Sequence, residues 1–339
     1  MYESFYRLSA KPFSLNPDPK FFFGSKGHKR AMSYLEYGLH QGEGFIVITG
    51  EVGAGKTTLV RNLFRKMDTA NLVAAQLVST QLDAEDTLRM VAASFGLEHE
   101  EAPKAVLLKR LEAFLTSCRE QDKRALLVVD EAQNLTPRAV EELRMLSNYQ
   151  AADRSLLQTF LLGQPEFRVT MQSAGMTQLR QRVIASYHLG PLDAEETRSY
   201  IEHRLHTVGW TDDPSFADAA FNEIFAFSGG IPRKINTLCD RLMLMGYIEE
   251  KHTFGVPEIK EVIADIQREM AYPEYQDPPQ TATGQGKLLA AVQSLETDTR
   301  LAQMDERLTD LERSVTTVLK LLREILSLSS VQHLRGEDR

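Results

Sequence analysis

Four short apolar runs recur along the first 190 residues, each bounded by turn or polar residues: 45–49 (FIVIT), 72–78, 125–129 (ALLVV) and 156–162. They are continuous rather than alternating, as expected of strands buried on both faces of a parallel sheet. Between them lie stretches with apolar positions at helical spacing, residues 57–67, 84–95, 104–120 and 137–149. The last has Thr136 placed as N-cap and Pro137 at the first helical position, where a missing N–H costs nothing. A fifth strand is predicted over 186–189. Strands alternating with helices of this length predict a three-layer α/β domain over residues 1–190.

After Asp193 the strand signals stop. Asp193 can cap a helix whose first turn carries Glu195 and Glu196, favourable at the positive end of the helix dipole. Further helical patterns over 216–227, 232–249 and 256–268 predict an all-helical second domain, residues 191–270. Residues 271–286 have the proline and polar content of a linker. Beyond it, Leu301, Met304, Leu308, Leu311, Val315, Val318, Leu322 and Ile325 step alternately by three and four. That is an a/d seam of about three and a half heptads, and it predicts a coiled-coil helix over 287–328. A single amphipathic helix folding back on its own protein is the other reading. Residues 329–339 are expected to form a disordered tail.

The residues from 50 to 57, Gly50, Glu51, Val52, Gly53, Ala54, Gly55, Lys56 and Thr57, satisfy the phosphate-loop pattern, with Thr58 following. The pattern stands after a predicted strand and before a predicted helix, the context it requires. Its glycines let backbone N–H groups converge on phosphates without a Cβ in the way. Lys56 supplies a point charge at the β- and γ-phosphates, and Thr57 offers its hydroxyl to Mg²⁺. In ALLVVDEAQ, Asp130 emerges at the C-terminal end of a buried strand, where open α/β sheets bind ligands. Asp130 is the second candidate metal residue, and Glu131 is placed to act as general base on the attacking water. A small-molecule kinase using the same loop needs no acid there, so Glu131 points to ATP hydrolysis.

Three weaker signals complete the candidate site. Gln164, after the strand LLQTFLL, can sense a γ-phosphate; a plain loop amide reads equally well. Arg180 and Arg182 precede the last strand, as expected of arginines acting on a neighbouring subunit's nucleotide, or of a solvated face. Arg233 begins a helix after Gly229-Gly230-Ile231-Pro232 and can reach back to the γ-phosphate, or bond only to solvent.

With 339 residues and 42% hydrophobic content, the chain can bury one large core or two moderate ones. The formal net charge of −8 argues against a strongly basic nucleic-acid binder, although residues 24–30 (GSKGHKR) form a small basic patch. Cys118 and Cys239 fit neither a disulfide framework nor a metal site, which suits a reducing cytosol. The N-terminus has no signal-peptide apolar region, and no run approaches the roughly 18 apolar residues of a membrane span. The expectation is a cytoplasmic protein, held at a membrane only by a partner.

Together these elements resemble the AAA+ ATPases of the general secretion pathway protein A group, with particular likeness to relatives in MSHA-type pilus and PEP-CTERM/exosortase exopolysaccharide loci. The resemblance covers about residues 1–270. It rests on FYRLSAKPFSLNPDPKFFF, GEVGAGKTT, VVDEAQNL, LLGQPEF, LRQRV and SGGIPRKIN. It implies a P-loop AAA+ domain followed by a helical lid, with ATP and Mg²⁺ as cofactors. Lys56 and Thr57 would be Walker A, Asp130 and Glu131 Walker B, Gln164 sensor 1 and Arg233 sensor 2. Arg182 would be the arginine finger, with Arg180 the second choice, and the segment before the phosphate loop would lie near the adenine. The tail departs from the group's membrane-spanning, cell-wall-binding member and has no role implied by the resemblance.

The expected function is an oligomeric ATPase that drives or regulates an envelope secretion, exopolysaccharide-export or pilus-type assembly system, contacting it through the C-terminal helix. The alternative is a DNA-binding switch of the transposition target-selection type. A DNA-binding ring needs clustered Lys and Arg and binds more weakly as salt rises. A nucleotide-dependent scaffold without catalysis is a third reading, opposed by Glu131.

Overall fold

The predicted alternation is realised as a five-stranded parallel sheet whose strands, across the sheet, are residues 72–78, 124–130, 157–163, 45–50 and 183–189. The computed structural model describes residues 1–66, 71–78, 83–151 and 154–270. In chain order the elements begin with α1 (Tyr2–Phe5), α2 (Lys26–Gln41), β1 (Phe45–Gly50), α3 (Lys56–Lys66) and β2 (Leu72–Val78). Then come α4 (Ala84–Ser94), α5 (Lys104–Glu120), β3 (Arg124–Asp130), α6 (Pro137–Leu146), β4 (Gln150–Ala151), β5 (Arg154–Ser155) and β6 (Leu157–Gly163). The sheet region closes with α7 (Pro165–Gln172), α8 (Thr177–Arg180) and β7 (Val183–Leu189). The helical part contains α9 (Ala194–Thr207), β8 (Ser215–Phe216), α10 (Asp218–Ser228), α11 (Pro232–Ile248), β9 (Thr253–Phe254) and α12 (Val256–Met270).

Three of the runs, in β1, β3 and β6, are buried on both faces, whereas the run over 72–78 forms the edge strand β2, in which only Ala75 and Leu77 are buried. In β1 the period-2 alternation sends Phe45 and Val47 into one core with α4, α5, α6 and α7. Ile46 and Ile48 enter the opposite core with Leu35 and Leu39 of α2 and Leu59 and Leu63 of α3. Each fully buried side chain of this size is worth about 1.5–3 kcal/mol, so the two-sided pattern determines which strands are central. The predicted cap of α6 forms, with Thr136 Oγ1 accepting from the Ala139 N–H at 3.1 Å.

Register places the site. Thr49 pairs with Gly163, Gly50 with Leu189 and Val129 with Leu161. The C-terminal ends of β1, β3 and β6 therefore emerge along one edge, with β6 between the other two. The strand over 183–189 starts three residues earlier than its sequence signal.

Three features differ from expectation. The helix α2 carries no prediction, yet Ala31, Met32, Leu35 and Leu39 make a buried stripe at helical spacing. The helical part is not strand-free: Ser215 and Phe216 pair in parallel with Thr253 and Phe254. The opening segment, grouped by sequence with the sheet, packs on the helical part, where Tyr2, Tyr6, Phe13 and Phe21 share a core with Ile201, Leu205, Leu238 and Leu242. The predicted linker, heptad helix and tail, residues 271–339, lie outside the described residues.

Candidate functional site

The loop between β1 and α3 opens onto a cleft of about 350 Å³. Its walls are the loop and start of α3 (Val52, Gly53, Gly55, Lys56, Thr57 and Thr58), the N-terminal segment (residues 14–18 and Phe21), Glu131 after β3, and Arg204, Arg233 and Asn236 from the helical part. Gly53 and Gly55 take positive φ of 82° and 98°, which only glycine adopts without strain. Lys56 is buried and donates from Nζ to the carbonyls of Gly50 (2.8 Å) and Glu51 (3.1 Å), so the lysine braces the loop around its own ammonium. Burial lowers its pKa, opposed by the charges of Glu131 and Asp130.

Thr57 Oγ1 donates to Asp130 Oδ2 at 2.7 Å, joining the first turn of α3 to the end of β3. A hydroxyl and a buried carboxylate this close are an oxygen donor set suited to a hard divalent cation. Glu131 stands in the left-handed region, φ 57°, which turns its side chain out of the strand's alternation. Its Oε2 accepts from Gln133 Nε2 (2.6 Å) and Gln164 Nε2 (3.1 Å). Gln133 Oε1 in turn accepts from the Gln164 backbone N–H at 2.9 Å. Burial pushes the Glu131 carboxyl up, but these two amides and the charge of Lys56 outweigh it and hold it below the usual glutamate value.

Arg233 sits in the first turn of α11, exposed, and its N–H donates to the Gly53 carbonyl at 3.2 Å. The helical part thus touches the phosphate loop directly. A Cβ at Gly53 would collide with the Arg233 side chain.

The two remaining arginines stand outside the walls of this cleft. Arg180 donates to the carbonyls of Met171 (2.6 Å) and Ser173 (2.7 Å) and to Thr177 Oγ1 (2.8 Å), pinning α7 to α8. Among the described residues, the Arg182 guanidinium reaches only Ser147, through two contacts of 3.4 Å.

Sequence reasoning missed Gln133 and Arg204. The signal for Gln133 was its place two residues past Glu131. Arg204 gave none: its guanidinium, buried, donates to the Pro12 carbonyl (2.5 Å), the Tyr200 hydroxyl (2.8 Å) and the Ser14 carbonyl (3.1 Å), and lies 4.7 Å from the Phe21 ring centre. It ties α9 to the N-terminal wall of the cleft.

Comparisons with known proteins agree with this architecture. Residues 39–171 match the AAA domain family. The chain is 37% identical over 253 residues to general secretion pathway protein A of Aeromonas hydrophila, spanning 74% of this chain and 46% of that relative's length. In fold it is similar to the ORC2 protein of Aeropyrum pernix (TM-score 0.57, 14% identity, 76% of this chain and 72% of that one). Cdc6p of Pyrobaculum aerophilum is similar too (TM-score 0.55, 14% identity, 77% and 74%). Residues 39–171 are thus an AAA domain with its phosphate loop at the edge of a parallel sheet, and the chain, which spans about half the length of the Aeromonas relative, is similar to the AAA+ ATPases of the general secretion pathway protein A group.

Proposed function

We propose that the chain binds ATP in the cleft between phosphate loop and helical part and hydrolyses it there. The observation that carries this is the convergence at one sheet edge of Lys56, the Thr57–Asp130 pair and the Glu131–Gln164 pair. The loop N–H groups and Lys56 hold the phosphate chain. Thr57 and Asp130 would hold Mg²⁺, which neutralises charge on the β- and γ-phosphate oxygens when bound. Glu131, kept ionised by its two amide donors, takes a proton from the water attacking the γ-phosphorus. The bond from that phosphorus to the bridging oxygen breaks, leaving ADP and inorganic phosphate. Gln164 donates to the base through its side-chain amide, which suits a sensor of the γ-phosphate. Arg233, on the helical part, suits a second sensor that moves that part when phosphate is lost.

The finer reading is a homo-oligomeric motor or regulator of an envelope secretion, exopolysaccharide-export or pilus-type assembly system. It works in the cytoplasm and is recruited to the inner membrane face through its C-terminal heptads. Kinship with the Aeromonas secretion-pathway protein supports this. Among the described residues no helix is long and apolar enough to cross a membrane. The DNA-switch alternative loses support at the basic patch, since Lys26 gives its N–H to Glu196 (2.7 Å) and its ammonium to Asp193 (3.5 Å).

The test is turnover of ATP by purified full-length chain with and without Mg²⁺, beside Lys56→Ala. Mg²⁺-dependent phosphate release that Lys56→Ala abolishes is expected. Turnover near the wild-type rate in the variant would overturn the site.

A further inference from the structure

The first turn of α2 is wedged between the phosphate loop and the start of α9, and neither contact is required by the phosphate-loop pattern. Ser25 caps α2, its Oγ accepting from the His28 N–H at 3.2 Å. The same Oγ lies 2.8 Å from His28 Nδ1. Because that oxygen already accepts from the His28 backbone, its own proton is free to go to Nδ1. The ring proton is then on Nε2, the ring nitrogen that faces the phosphate loop. Nε2 also lies 2.9 Å from where a side chain at Gly55 would begin, so the loop's last glycine rests against the imidazole. Burial holds the His28 pKa down and keeps the ring neutral, the form this pattern needs.

On the other side of the same turn, the Lys26 N–H donates to Glu196 Oε1 at 2.7 Å. Glu196 belongs to the capping box of α9, in which the Asp193 side chain accepts from the Glu196 N–H. One turn of α2 therefore connects the N-terminus of the first helical-part helix, through Lys26, Ser25 and His28, to Gly55 in the phosphate loop.

We infer that His28 is a positioning residue: it sets the shape of the phosphate loop and couples that loop to α9 through the first turn of α2. This rests on the nucleotide-binding reading above. A buried histidine serving only the core would need neither the tautomer nor the Glu196 contact. Here the ring's two nitrogens are used in opposite senses, one accepting from the helix cap and one facing the loop with its proton. Movement of α9 displaces Lys26, and the imidazole carries the displacement to the loop. This route is distinct from that of Arg233, which meets the loop at Gly53.

Tautomer mimics test it in the full chain. Glutamine places an amide N–H where Nε2 stands, whereas asparagine reaches only as far as Nδ1 and stops short of the loop. Nucleotide Kd is measured by calorimetry, with ATP and with ADP, for wild type and for His28→Gln, His28→Asn and His28→Ala, with Lys56→Ala alongside. Asn and Ala are expected to weaken ATP binding roughly tenfold, the effect of one ordinary hydrogen bond, and Gln to restore most of it. Thermal unfolding is read on each variant, and the comparison of Gln with Asn is made at matched stability. Equal Kd for Asn and Gln would overturn the positioning role. For the coupling, Glu196→Ala, which removes the acceptor of the Lys26 N–H, is combined with His28→Asn. Non-additive losses in Kd are expected because both break one chain of contacts; fully additive losses would overturn the coupling. Failure of wild type to bind nucleotide, or undiminished binding by Lys56→Ala, would instead sink the nucleotide-site reading, and this inference with it.

Discussion

The side-chain amide of Gln164 donates to Glu131 Oε2 at 3.1 Å, across 33 residues of sequence. The contact exists because β6, which delivers Gln164, is the direct neighbour of β3, which delivers Glu131. It joins the proposed sensor to the proposed base. Replacing the base while keeping the amide contacts separates binding from chemistry. Glu131→Gln is expected to bind ATP with near-wild-type Kd and to lose about 10²–10⁴ in turnover. A variant that binds no ATP, or hydrolyses it normally, would remove Glu131 from that role.

Gln133 gives a pH prediction. Its amide favours the ionised form of Glu131, while burial favours the neutral form. Gln133→Leu removes the first effect and leaves the second, so the Glu131 pKa rises. A base must be ionised to act, so the acid limb of the kcat–pH profile moves to higher pH, and turnover at neutral pH falls least. An acid limb that stays in place, or moves to lower pH, would show that the limb belongs to another group.

The strands were legible because continuous apolar runs have one economical burial, a sheet covered on both faces, and that also located the loop and Asp130. Helix α2 was not legible because its first turn is charged and glycine-containing, and only four apolar residues mark its inner face. The roles of Gln133, marked in the sequence only by its closeness to Glu131, and of Arg204, not marked at all, were hidden for a different reason. Their roles come from pairs brought together by topology, Gln133 with Gln164 and Arg204 with Pro12, and no local pattern encodes such a pair. The same holds for Tyr2, Tyr6 and Phe13, whose aromatic character predicts burial without saying against which part.

Arg204 supplies the stability prediction. Arg204→Met keeps much of the apolar stem but leaves the Pro12 and Ser14 carbonyls without their donor. Unsatisfied buried polar groups cost about 1–3 kcal/mol, so a lowered urea midpoint with an unchanged m-value is expected. Residues 14–18 form one wall of the cleft, so nucleotide affinity should fall as well. An unchanged midpoint would mean that the N-terminal segment is held by its aromatic residues alone.

The last prediction concerns the arginines that the fold keeps out of their own cleft. Arg180 has three short hydrogen bonds at home, and using it elsewhere would break the junction of α7 and α8. Arg182 has only two contacts at the limit of hydrogen bonding, so freeing it costs little. Of the two, Arg182 is therefore the one proposed to act on a neighbouring copy's nucleotide. Arg182→Ala should therefore leave ATP binding by dilute subunits intact while cutting turnover about 10³-fold or more, the usual scale for an arginine acting in trans. Arg180→Ala should act instead through stability, lowering the unfolding midpoint. Mixing Arg182→Ala with Lys56→Ala separates a shared site from a private one. Each variant alone is inactive, but a mixed interface can join an intact loop on one copy to an intact arginine on the next. Activity that rises on mixing and peaks near equal proportions is expected. No recovery at any ratio, with both variants folded and oligomeric by light scattering, would rule out Arg182 as a residue donated to a neighbour.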